Sequence, residues 1–145
     1  MAGRQNVSEA RRQFSTVLDR VSKGEWQLIG RRGRRDAVLA SASEVAELLA
    51  QSFRFSPEVF VEEQGVGVWL PQLEIHGVGH TLEQALADLA VGMLEYADDW
   101  EAELRHFAEH KARAGYVRRV QLAEDEAGVR ALLALDAELA SAAHK

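Results

Sequence analysis

The chain has no cysteine among its 145 residues, which excludes disulfides and every cysteine-based zinc or redox centre. Proline occurs only twice and no low-complexity tract is present. With 47% hydrophobic residues the chain therefore reads as folded, not disordered. No apolar run approaches the roughly 18 residues of a membrane span, and no apolar signal segment follows the N-terminal arginine. A soluble, cytoplasmic protein with no membrane partner is the expectation. At 16.1 kDa the chain can bury one modest core or two small ones.

Charge is present but unevenly placed. Up to Arg35 there are nine basic residues against three acids (Glu9, Asp19, Glu25), a balance of +6. From Asp36 onward eight basic residues face 20 acids, a balance of −12, which gives the chain its net −6. A basic head on an acidic body points to a polyanionic partner for the head and a separate partner, or plain solvation, for the body.

Asn6 to Gly24 has the pattern of one amphipathic helix. Val7, Ala10, Phe14, Val17, Leu18 and Val21 form an apolar stripe. Ser8 is the expected N-cap, Glu9 suits the positive end of the dipole, and Gly24 is the expected stop. Arg11, Arg12 and Arg20 lie off the stripe, where for a lone helix a solvated face explains them better than a binding role does. Two strand-like runs, Glu25 to Gly30 and Asp36 to Ser41, then flank a glycine-centred turn, a hairpin signal. Arg31, Arg32, Arg34 and Arg35 crowd that turn at a cost in self-repulsion. Arginine is also the side chain best shaped for bidentate contact with phosphate or guanine. Ser43 is expected to cap a short helix over Glu44 to Gln51. This α-β-β-α unit, residues 1–51, is too small to be self-sufficient and leaves sheet edges open, so a homodimer joined through it is expected.

Residues 52–58 read as a linker. Val59 to Glu63 and Val66 to Leu70 form a second hairpin, Pro71 ends it, and Gly77 to His80 reads as a glycine-rich loop. Thr81-Leu82-Glu83-Gln84 is a capping box opening a helix whose apolar face runs toward Lys111. Gly115 breaks the pattern, Tyr116 to Leu122 reads as a short strand, and a last, separately mobile helix follows Glu124-Asp125-Glu126. The fold class is α+β, with a β-β-α-β-α module over residues 59–145.

The first half resembles the Phd/YefM (prevent-host-death) antitoxins. The resemblance rests on Val7-Ser8-Glu9-Ala10-Arg11, Leu18-Asp19-Arg20-Val21 with Gly24, Leu28-Ile29-Gly30-Arg31-Arg32-Gly33, and Ala37-Val38-Leu39-Ala40-Ser41. It implies a homodimer whose N-terminal helices and arginine turns contact operator DNA of its own operon, with Arg11 and Arg31 as the matching residues. Arg4, Asn6, Ser8, Arg12, Arg32, Arg34 and Arg35 join them by proximity and chemistry. Where the family often has Thr before the turn arginine, this chain has Gly30. In the second half, Phe60-Val61-Glu62-Glu63, Val68-Trp69-Leu70-Pro71-Gln72-Leu73 and Gly79-His80-Thr81-Leu82-Glu83-Gln84-Ala85 resemble the HicB antitoxin core, which covers a toxin. Phd/YefM members typically end instead in a disordered tail that folds onto the toxin.

Other candidate chemistry is thinner. His106-Phe107-Ala108-Glu109-His110 spells H-x-x-E-H, which on a helix would put two imidazoles on one face with metal-competent spacing. A small metal-dependent hydrolase built on His106 and His110 is therefore the alternative from another class. His76 and His80 suit capping better than ligation. Glu95, Asp98, Asp99, Glu101 and Glu103 would scatter around a helix, as a solvated face or a patch facing a basic partner. Trp69, Trp100, Phe107 and Tyr116 fit a groove or an ordinary core equally. Neither Gly65-Val66-Gly67 nor Gly77-Val78-Gly79 is followed by the Lys and Ser/Thr of a P-loop, and no cofactor is expected. The sequence reading is a non-enzymatic antitoxin and autorepressor with a toxin, a basic ribonuclease by class, as its second partner. An orphan DNA-binding regulator without a toxin is the remaining reading.

Overall fold

In the computed structural model, which describes residues 2–143, the chain is mixed α+β and divides into two compact units, residues 1–48 and 49–145. The first unit opens with a strand that the hydrophobic pattern does not announce. Gly3–Asn6 (β1) contains no large apolar residue, yet it pairs in parallel with Gln27–Gly30 (β2), Arg4 opposite Leu28 and Asn6 opposite Gly30. Ala37–Leu39 (β3) pairs antiparallel on the other side of β2, so the order is β1-β2-β3. The expected α-β-β-α order is thus corrected to β-α-α-β-β-α.

The expected single helix is two. Val7–Arg12 (α1) ends at Gln13, whose backbone (φ −113°, ψ 29°) leaves helical space, and Phe14–Ser22 (α2) follows. The cap of α1 is Asn6, not Ser8: its extended backbone closes β1, and its Oδ1 accepts the Glu9 N–H at 2.8 Å. Likewise Ser41, not Ser43, caps Ala42–Ser52 (α3), accepting the Glu44 N–H at 3.1 Å. Of the apolar stripe only Ala10, Val17 and Val21 are buried. Phe14 is 52% exposed and Leu18 43%.

The second unit carries the larger core. Glu58–Glu62 (β4), Gly65–Leu70 (β5) and Ile75–Gly79 (β6) form an antiparallel sheet in that order. Residues 77–79 therefore belong to a strand, correcting the expected loop. Their glycines are required because Leu82–Ala102 (α4) lies so close that a Cβ on Gly77 would overlap the Ala85 carbonyl and Leu89. Thr81 caps α4 as expected, accepting the Gln84 N–H, while Gln84 Oε1 accepts the His80 N–H. Val68 and Leu70 bury against Ala85, Leu89 and Met93 in one cluster.

Beyond Ala102 the expected continuous helix breaks. A 3₁₀ turn at Leu104–His106 and a four-residue helix, Ala108–Lys111 (α5), intervene before Ala114–Ala123 (α6). The expected strand over 116–122 is thus helical, with Val117 and Val120 three apart in the core. The last helix, Glu126–Ala143 (α7), was expected to move on its own but is packed down through Val129, Leu133 and Asp136. Asp136 is fully buried and receives Arg119 through two bonds, at 2.6 and 3.1 Å. The same carboxylate accepts the Phe55 N–H at 2.7 Å, and Arg119 donates to the Phe53 carbonyl at 2.8 Å. Residues 53–57 have no helix or strand, yet Phe55 is a core residue, so this stretch is more than a linker.

Candidate nucleic-acid interface

The β2–β3 connection folds as a tight turn. Arg32 (φ 50°) and Gly33 (φ 78°) are both left-handed, and the Arg34 N–H donates to the Arg31 carbonyl at 2.9 Å. Two successive positive φ values with this hydrogen bond are those of a type I′ turn. Gly33 takes this conformation freely, whereas Arg32 accepts it at about 1 kcal/mol. Gly30 is equally constrained: a Cβ there would overlap the Arg34 carbonyl oxygen, so the turn folds back over a bare backbone. This explains why glycine stands before the turn arginine.

The parallel pairing of β1 with β2 brings residues far apart in sequence to this turn. Arg4, Asn6, Arg32, Arg34 and Arg35 line one cleft of about 240 Å³, together with Gln5 and Glu9. The remaining expected residues lie outside that lining. Ser8, Arg11 and Arg12 are exposed on α1. Arg31 turns toward Asp36, whose Oδ2 accepts both its backbone N–H and its Nε at 3.1 Å each. That ion pair fixes the turn, while the Arg31 side chain stays 65% exposed. Asn6 has its Oδ1 committed to the helix cap, leaving Nδ2 as a free-standing donor. Sequence reasoning missed Gln5, which sits on the unannounced strand β1, and Glu9, which the α1 that follows it brings to the same cleft.

Ion pairing differs between the two units. Of the nine basic residues up to Arg35, only Arg31 has an acidic partner among the described residues. In the second unit four of the seven described basic residues are paired, Arg113, Arg118, Arg119 and Arg130, while Arg54, Arg105 and Lys111 are not. Like charges held near one another with few counter-charges, here Glu9 in the cleft lining and Asp36 on Arg31, cost energy that a polyanion would relieve.

The other candidate chemistry separates in space. His106 lies in the 3₁₀ turn and His110 in α5, so the continuous helix that would put both imidazoles of H-x-x-E-H on one face is interrupted. His110 instead shares a hydrogen bond with the Tyr96 hydroxyl at 2.7 Å, and its carbonyl accepts the Trp100 indole N–H at 2.8 Å. No group of three His, Asp or Glu side chains poised for a metal occurs among the described residues. His76 is on β6, paired with Trp69, and His80 precedes the α4 cap. The acids Glu95, Asp98, Asp99, Glu101 and Glu103 are all exposed. Hydrogen bonds from Gln121 and Arg118 hold the Glu101 carboxyl below its usual range, tying α4 to α6. Trp100 is buried, Trp69 and Tyr116 are half-buried and Phe107 is exposed, so the four aromatics do not line one groove.

No helix among the described residues is long and apolar enough to cross a membrane. No curated protein matches the chain. Among solved structures, a protein described as an antitoxin, from Syntrophomonas wolfei subsp. wolfei, superposes with a TM-score of 0.70 at 22% identity. The match covers 89% of this chain and 94% of that one, a likeness of fold. A family model described as PHD_like, antitoxin of toxin-antitoxin, RelE / RelB, TA system, matches residues 1–135. The chain belongs to this family of toxin-antitoxin antitoxins, non-enzymatic regulators whose partner is a toxin.

Proposed function

We propose that this antitoxin binds operator DNA as a homodimer through its first unit, represses its own operon, and masks its toxin with its second. The single observation that carries the DNA half is the pairing contrast: eight of nine N-terminal basic residues lack an acidic partner among the described residues. Arg4, Asn6, Arg32, Arg34 and Arg35 at the cleft, with Ser8, Arg11, Arg12 and Arg31 beside it, are the proposed contact set. A strained Arg32 fits this role, since backbone strain of this kind collects at binding sites.

Dimerisation answers a separate physical need. The first unit buries three hydrophobic residues, Ala10, Val17 and Val21, and leaves Val7, Phe14, Leu18 and Val38 between 43% and 52% exposed. A twofold partner would cover such residues and place two arginine turns on neighbouring half-sites. In this reading residues 1–51 act as a Phd/YefM-like unit, 52–58 connect, and 59–145 act as a HicB-like toxin-binding unit. Residues 49–145 hold eight basic against 17 acidic residues, which suits a basic toxin, a ribonuclease being the natural class. All of this would take place in the cytoplasm, where operon and toxin meet.

The test pairs two variants with two readouts. Arg34→Ala with Arg35→Ala, and separately Arg11→Ala with Arg31→Ala, should abolish shift of a fragment of the protein's own promoter. Co-purification of the toxin should survive in both. Undiminished DNA binding in both variants would refute the contact set, and simultaneous loss of the toxin would show that folding, not recognition, had been removed.

A further inference from the structure

Strand β4 is the outer strand of its sheet, and its five residues pair with β5 in unbroken register from Glu58–Trp69 to Glu62–Gly65. All five are exposed. Val61 at 80% is the most exposed large hydrophobic among the described residues, and Val59 stands at 53%. Natural edges of this kind are blunted by bulges, proline or charged side chains; β4 pairs without a bulge, has no proline within it, and carries charge only at its two ends, Glu58 and Glu62. Val59 lies opposite Val68, which is buried under α4, so Val59 and Val61 belong to the helix-covered face of the sheet. That cover stops short of them. Beside Val59, Leu82 and Leu86 of α4 and the alanines of α7 line an apolar groove of about 600 Å³.

We propose that the free edge of β4 accepts an extended segment of the toxin as a fourth strand, its alternate apolar side chains entering this groove. The inference rests on the reading that the second unit masks the toxin. The charge at the two ends of β4 decides between a toxin segment and a second copy of this chain. Antiparallel self-pairing about Phe60 would set Glu58 directly across from Glu62, twice over, and like charges in direct opposition destabilise a strand pair. The same two carboxylates would stabilise a segment carrying lysine or arginine at its flanks. Full-length self-pairing in register is thus disfavoured, and the edge is open to a basic partner.

Full-length antitoxin is co-expressed with the product of the open reading frame beside its gene and compared with antitoxin alone by amide hydrogen exchange. Edge amides of residues 58–62 exchange rapidly in free antitoxin and slow by about tenfold or more in the complex. Val61→Lys, harmless to the fold at a site this exposed, weakens the complex by about 10- to 100-fold through like-charge repulsion. Leu135→Lys, equally apolar and 50% exposed on α7, leaves it unchanged. A wild-type complex with protection elsewhere and an undiminished Val61→Lys affinity would overturn strand addition while leaving toxin masking intact. Protection of 58–62 that grows with the concentration of antitoxin alone would overturn it in favour of a second copy. Failure of the wild-type pair to associate would defeat the masking reading itself, and this inference with it.

Discussion

Asp136→Ala would strand a guanidinium in the core of the second unit. In the wild type Asp136 is 1% exposed, Arg119 is 5% exposed, and two hydrogen bonds join them. Removing one member of a buried pair costs about 3–5 kcal/mol, because the surviving charge has no solvent to return to. The Phe55 amide loses its acceptor as well, a further penalty of about 1–3 kcal/mol for a buried donor. The two are not additive, since relaxation around Arg119 serves both, so about 5 kcal/mol is expected. A unit of this size has roughly 5–15 kcal/mol in total. The loss should lower its melting temperature by about 20 °C or more. Urea unfolding followed by tryptophan fluorescence measures it, with buried Trp100 reporting on this unit. Arg119→Met combined with Asp136→Leu should recover most of the loss, because no orphan charge remains. A loss below about 1 kcal/mol for Asp136→Ala would refute the reasoning, since it would mean that the pair is solvated.

The other predictions concern single contacts. Gly30→Thr should displace the arginine turn, costing about 1–3 kcal/mol in the first unit and weakening promoter binding, checked by thermal melts and gel shift. Gly77→Ala should cost a similar amount in the second unit, where β6 touches α4, with promoter binding retained. Phe14→Lys with Leu18→Lys should convert a dimer to a monomer in sedimentation velocity; an unchanged sedimentation coefficient would place the interface elsewhere.

The parts of the fold legible in the sequence were those where a local pattern and a tertiary contact agree. The capping box at Thr81, the arginine hairpin and the β4–β5 hairpin each satisfy their own backbone groups. The misread parts depend on partners far away in sequence. β1 has no hydrophobic signature because parallel pairing with β2, not burial, holds it. Residues 77–79 carry the composition of a loop because a helix needs their missing side chains. Val117 and Val120, with a buried arginine between them, suggest a strand by composition, while their three-residue spacing is that of α6. At the candidate site the arginine turn was readable from charge alone. The convergence of Arg4 and Asn6 on it was not, since that needs β1 beside β2. His106 and His110 show the opposite failure, a motif whose spacing is right and whose helix is interrupted.

The central claim, that the first unit engages DNA through unpaired arginines, is tested most directly by the salt dependence of promoter binding. If each protomer neutralises about four phosphates, log affinity against log salt concentration falls with a slope of roughly −7 for the dimer. Arg34→Ala with Arg35→Ala, measured at low salt where its residual binding is still detectable, reduces its magnitude by about 3 to 4. A slope near zero, or one that the double variant leaves unchanged, would contradict the account.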